Sequence, residues 1–197
     1  MREKSKSMTI SFIGSNRITQ SEMTLEIHDT PRRIDPLQET FEQTTAGIKW
    51  REKSCELLSK NEFDAAFQHR FHSYWTVAGH HIRAQIDNDR VLVELLRLVL
   101  PPYIGPSRTL FRGENLDRWT SRKIGLCWSE KIHVAQMFGS GLNATGAGGV
   151  LLRCYASNKA IIAGPSDHSR YLGESEYTLD LSHVTEIDMI ESYPSLA

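Results

Sequence analysis

At 197 residues the chain is long enough for one domain, or for one domain with an appendage. Hydrophobic residues make up 40% and charged residues 24%, with 13 Gly and 7 Pro, which excludes collagen-like, disordered and disulfide-scaffold classes. With 23 basic against 24 acidic residues the net charge is -1, so no overall electrostatic footprint for gripping duplex DNA exists, although a local patch is compatible with visiting a nucleic acid.

Met8, Ile10 and Phe12, then Met23, Leu25 and Ile27, alternate as half-buried strands do, which predicts a small arm or hairpin over 1–34. Helix signals dominate 35–100. Asp35-Pro36 reads as a cap with a first-turn proline, and Leu37, Phe41, Ile48, Cys55 and Leu58 follow at helical intervals. Asn61 is the expected cap of a second helix carrying Phe63, Phe67, Phe71, Tyr74, Trp75, Ala78 and Ile82. Asp89 is the expected cap of a third, with Val91, Leu95, Leu98 and Val99 inward, stopped by Pro101. This helical region is expected to pack on a core spanning 101–197. There the periodicity turns toward two, with short strands predicted at 109–113, 124–128, 150–155, 160–163, 177–181 and 186–190. One helix, Glu130 to Phe138 with Ser129 as cap, interrupts them, so the fold class expected is α+β with mainly antiparallel strands.

Cys55, Cys127 and Cys154 are odd in number and form no CxxC pair, which fits a reducing compartment. Thr9 to Gly14 is too short and polar for a signal-peptide core. Val91 to Leu100 carries Glu94 and Arg97 and is too short to span a bilayer, so a cytoplasmic protein without a membrane partner is expected. The Gly139 to Gly149 stretch lacks the GxxxxGK[ST] pattern and follows a helix, so it reads as a flexible surface loop. His69, His72, His80 and His81 lack a third converging ligand at a usual spacing, so no metal is expected and solvated helix-face histidines explain them. Cys127 reads as a small buried hydrophobe in preference to a nucleophile, since no base is assigned to it.

The informative residues lie at strand ends. Leu110-Phe111-Arg112-Gly113-Glu114 places an arginine before a glycine that would let a ligand approach the backbone. Cys127-Trp128-Ser129-Glu130 places a hydroxyl where a strand meets a helix. Gly173-Glu174-Ser175-Glu176-Tyr177 places two carboxylates at i and i+2, which strand alternation would put on one side, some ~6 to 7 Å apart.

This Arg…Ser…Glu-x-Glu order resembles the mono-ADP-ribosyltransferases of the arginine-serine-glutamate class, which includes many bacterial toxins and effectors. The resemblance covers about residues 108 to 191. Phe111-Arg112-Gly113 is similar to the family's arginine strand, Trp128-Ser129 with Val134-Ala135 and Phe138 to its serine strand and helix, and Glu174-Ser175-Glu176 to its catalytic motif. Cys127-Trp128-Ser129 stands where the family has Ser-Thr-Ser.

The resemblance implies two small packed sheets and cleavage of NAD, as co-substrate, at its nicotinamide–ribose bond. In it Glu176 stabilises the reacting ribose, Ser129 hydrogen-bonds Glu176, and Arg112 pairs with the diphosphate beside Gly113 and Phe138. Glu174 orients or deprotonates the acceptor, which Arg170 and Tyr171 meet. Glu-x-Glu tilts the acceptor to a protein arginine ahead of a nucleic-acid base. The resemblance also implies an antitoxin or other inhibitory protein as partner if the chain is a toxin or defence protein. An NAD glycohydrolase and an inactive binding module of the same fold are the alternatives.

Overall fold

Residues 35–196 are described by a computed structural model. The chain divides into two units, 1–34 and 35–197, and the arm or hairpin expected in the first lies outside the described residues.

Helix α1, Pro36–Ala46, starts as the sequence predicts, with the Asp35 carboxylate accepting from Leu37 N at 3.0 Å and Pro36 in the first turn. The periodicity from Leu37 to Leu58 does not form one helix. Gly47 and Ile48 (φ 55) break it, and α2 restarts over Trp50–Leu58. The break seats Trp50 in the core, where its Nε1 donates to Thr45 Oγ1 at 2.7 Å. Apolar spacing alone cannot register such a turn, because the interrupted helix returns to nearly the same face. Helix α3, Ala65–Ile86, is capped three residues beyond the expected Asn61, by Asp64, whose Oδ1 accepts from Phe67 N at 2.7 Å. Helix α4, Asp89–Val99, is capped by Asn88, whose Oδ1 accepts from the amides of Arg90 and Val91. Phe41, Trp50, Phe71, Trp75, Ile82 and Leu95 form the centre of this helical core.

Strands β1 (Arg108–Asn115), β2 (Cys127–Ser129), β3 (Gly149–Ala156), β4 (Ile161–Ala163), β5 (Glu176–Leu179) and β6 (Ile187–Tyr193) follow. Among them stand three short helices, α5 (Leu116–Thr120), α6 (Ile132–Ser140) and α7 (Asp167–Tyr171). The fold is therefore α+β, with seven helices among the described residues. The expected pair of packed sheets is corrected. All six strands form one sheet of order β4-β5-β2-β1-β3-β6, every pairing antiparallel. Its two halves meet through a single register pair, Phe111 opposite Ser129. From Arg112 onward β1 pairs with β3 alone, so the sheet opens between the end of β1 and the start of β2.

The helical layer is fastened to this sheet by polar as well as apolar contacts. Trp75 Nε1, on α3, donates to the buried Thr178 Oγ1 of β5 at 3.0 Å. Helix α6 lies so close over β1 and β3 that a Cβ at Gly113 would collide with the Ala135 carbonyl and the Gly139 amide, and one at Gly149 with the Gly139 carbonyl. The Gly139 to Gly149 stretch, expected to be flexible, is tied down from β1. Asn115 Nδ2 donates to Thr145 O at 2.7 Å, Asn143 Nδ2 donates to Gly113 O at 2.8 Å, and Ala144 is buried. Among the described residues no helix is long and apolar enough to cross a membrane.

Candidate active site

Where the sheet opens there is a cleft of about 1130 Å³. Arg112, Gly113, Ser129, Phe138, Glu174 and Glu176 all line it, so the residues picked out by the resemblance converge from four separate chain segments. The wall opposite the sheet is α3, through Trp75, Thr76, Gly79 and His80, so the helical region takes part in the site.

Register explains the arrangement. Phe111, Ser129 and Glu176 lie directly across from one another on β1, β2 and β5, in one cross-sheet row. Arg112 and Glu114 leave β1 on the other side by alternation, and their side chains bridge the opening to β2. Arg112 Nη1 donates to Cys127 O at 2.5 Å and its Nε donates to Glu114 Oε2 at 2.8 Å. Gly125 N donates to the same Glu114 oxygen at 2.7 Å. A Cβ on Gly125 would occupy the place of the Arg112 guanidinium. Burial pushes the Glu114 carboxyl up, but the Arg112 charge and the hydrogen bonds from Arg112, Gly125 and Asn115 outweigh it and hold the group below 4.5. Neither Glu114 nor Gly125 was assigned a role from the sequence, although the i, i+2 spacing of Arg112 and Glu114 is a signal for the first. Gly113 lines the cleft, and a side chain there would also meet the backbone of α6.

The carboxylates are set by the turn before β5. Gly173 (φ 75) and Ser175 (φ 48) both sit in the left-handed region, and Glu174 precedes the strand. The strand alternation expected to place Glu174 beside Glu176 therefore does not apply, and the turn brings both into the cleft. Ser129 clamps that turn. Its Oγ donates to the Glu174 carbonyl at 2.6 Å, while Lys131 Nζ donates to Gly173 O at 2.9 Å. The expected hydrogen bond from Ser129 to the Glu176 side chain is corrected accordingly: the hydroxyl proton goes to main chain. Cys127, two residues earlier on the same face, lies beside the Glu176 carboxyl. Glu176 N donates to the buried Ser169 Oγ at 2.7 Å.

Burial pushes Glu176 up to about 7; the neighbouring Cys127 thiol and the Arg112 charge oppose this, and the Glu174 charge adds to it. Burial likewise raises Glu174, against the charge of His168. Burial and the Glu176 charge drive the Cys127 thiol well above its ordinary value, which opposes a nucleophilic role.

Arg170 and Tyr171 stand on α7, where a loop was expected. Arg170 Nη1 donates to Asp167 Oδ1 at 3.1 Å and Tyr171 is 85% exposed, next to the cleft-lining His168 and Leu172. His69, His80 and His81 are exposed, but His72 departs from the solvated reading: it is buried, and burial followed by the His69 and Arg170 charges lowers it to about 4. Among the described residues no group of three His, Cys, Asp or Glu side chains is placed to hold a metal ion. Comparison with known protein families, with curated proteins and with solved structures finds no match.

Proposed function

We propose that this chain is a mono-ADP-ribosyltransferase that cleaves NAD and transfers ADP-ribose to a macromolecular acceptor, a protein arginine ahead of a nucleic-acid base. One observation carries the reading: Arg112, Ser129, Glu174 and Glu176, far apart in sequence, line one cleft at the point where the sheet opens. A guanidinium with free N–H groups at one end and a pair of carboxylates at the other suits an anionic diphosphate joined to a sugar that develops positive charge.

In this reading the bond between nicotinamide and ribose C1′ breaks, and its electron pair leaves with the nicotinamide. The ionised Glu176 carboxylate stabilises the electron-poor sugar and accepts a hydrogen bond from its 2′-hydroxyl. Glu174, ahead of the strand and less enclosed, orients the acceptor nitrogen and takes its proton as the new bond to C1′ forms. Arg112 holds the diphosphate, Phe138 adds apolar wall, and exposed Tyr171 with Arg170 meets the acceptor. Acting as an intracellular toxin, defence protein or injected effector, with an inhibitory partner in the first two cases, is the biological setting we infer.

Incubation of the purified protein with NAD labelled in the adenosine half tests this. Label retained on protein or nucleic acid, sorted by protease and nuclease treatment, supports transfer. Free ADP-ribose alone identifies a glycohydrolase, and no turnover identifies an inactive module.

A further inference from the structure

Glu114 has no part in the reaction just described, yet it is the most completely enclosed carboxylate in the site, with its side chain 1% exposed. Three N–H groups donate to it, Arg112 Nε at 2.8 Å, Gly125 N at 2.7 Å and Asn115 N at 3.0 Å, and the Arg118 guanidinium forms an ion pair with it at 3.3 Å. We propose that Glu114 is a positioning residue that presets the Arg112 guanidinium as a fork for a diphosphate; the proposal deepens, and rests on, the NAD reading above.

A guanidinium carries five N–H donors in one plane. In Arg112 the Nε–H is spent on Glu114 and one Nη1–H on Cys127 O, which fixes the plane and leaves the remaining N–H groups for the cleft. Gly125 closes the other side, because the guanidinium fills the space where a Cβ would stand. Charge points the same way. One carboxylate shared by Arg112 and Arg118 leaves one positive charge over, and Lys123 lines the same end of the cleft. A fork already locked in place loses less rotamer freedom on gripping phosphate oxygens than a free arginine would. A glutamine at 114 cannot replace the carboxylate, since its amide nitrogen would face at least one of the three N–H donors.

The test is Glu114→Gln, measured for NAD affinity by titration and for initial rates. Arg112 grips the diphosphate alike before and during bond cleavage, so KM and Kd for NAD should rise about tenfold or more while kcat changes little. In an Arg112→Lys background the same substitution should add almost nothing, because the fork it serves is gone. A merely structural Glu114 would instead lower kcat and melting temperature alike in both backgrounds, and that pattern overturns the proposal.

Wild-type protein labelled with ¹⁵N-arginine decides the matter even where Glu114→Gln fails to fold. The Arg112 Nε–H signal, assigned by its loss in Arg112→Lys, should exchange slowly in the free protein and shift on adding NAD or inorganic pyrophosphate. Rapid averaging like that of exposed arginines, or no shift with either probe, overturns the proposal. A protein whose Arg112 responds to pyrophosphate but which neither binds nor cleaves NAD keeps the fork and refutes the NAD reading alone.

Discussion

Replacing Glu176 by glutamine removes a charge from a place where burial opposes it, so the effects on stability and on chemistry have opposite signs. The folded carboxyl titrates at about 7 against an ordinary 4.5, burial being the chief cause. Below pH 4.5 the group is protonated in both folded and unfolded chains and adds no cost. Between 4.5 and about 7 only the unfolded chain gives up the proton, so stability falls as pH rises. Above that range the folded protein bears the whole cost, roughly 3 kcal/mol as an upper bound. Glu176→Gln keeps the shape and removes that cost. Its melting temperature should equal that of the wild type near pH 4.5 and exceed it by up to about 6 to 12 °C at pH 8.5, taking ~2 to 4 °C per kcal/mol for a domain of this size.

NAD cleavage, followed by release of labelled nicotinamide, should fall on the order of a hundredfold or more in the same variant. For the wild type, kcat/KM should rise with pH and level off above about 7, because only the carboxylate form stabilises the reacting sugar. A variant no more stable than wild type at pH 8.5 would refute the burial argument. Near-normal cleavage would refute the placement of Glu176 at the reacting centre.

Arg112→Lys keeps the charge but loses the fork, and NAD affinity measured by titration should drop about tenfold or more; unchanged affinity would make Arg112 structural. Glu174→Gln should lose transfer to arginine while keeping much of the NAD hydrolysis, since a protonated guanidinium needs a carboxylate to orient it and take its proton. Full transfer by that variant would shift the acceptor to a nucleic-acid base. Gly113→Ala should destabilise the fold by roughly 2 to 4 kcal/mol in denaturant titration, because the added Cβ meets backbone atoms of α6 that cannot swing aside. A smaller loss would mean that the helix can lift from the sheet.

Much of the fold was legible from local pattern. Asp35-Pro36 marked the start of α1, the apolar spacing from Val91 to Val99 marked α4, and the change of period after Pro102 separated helices from antiparallel strands. The order of Arg112, Ser129, Glu174 and Glu176 was enough to select residues that prove to share a cleft. These readings succeed because capping and periodicity act over a few residues, and because Ser129, Glu174 and Glu176 sit at or beside strand ends, although Arg112 lies inside β1. Tertiary structure decided the rest. The left-handed Ile48 and Ser175 depend on what their turns must reach, and nothing in their side chains announces it. Whether the strands form two sheets or one turned on a single pairing, Phe111 with Ser129. Gly113 is glycine because a helix that follows it in sequence folds back onto it, and Gly125 because Arg112 of β1 reaches over it. The contact of Glu114 with Gly125 and the main-chain partner of the Ser129 hydroxyl likewise come from separate segments of the chain. Hydrogen bonds and steric exclusion act over a few ångströms, and only the folded backbone brings residues distant in sequence within that range.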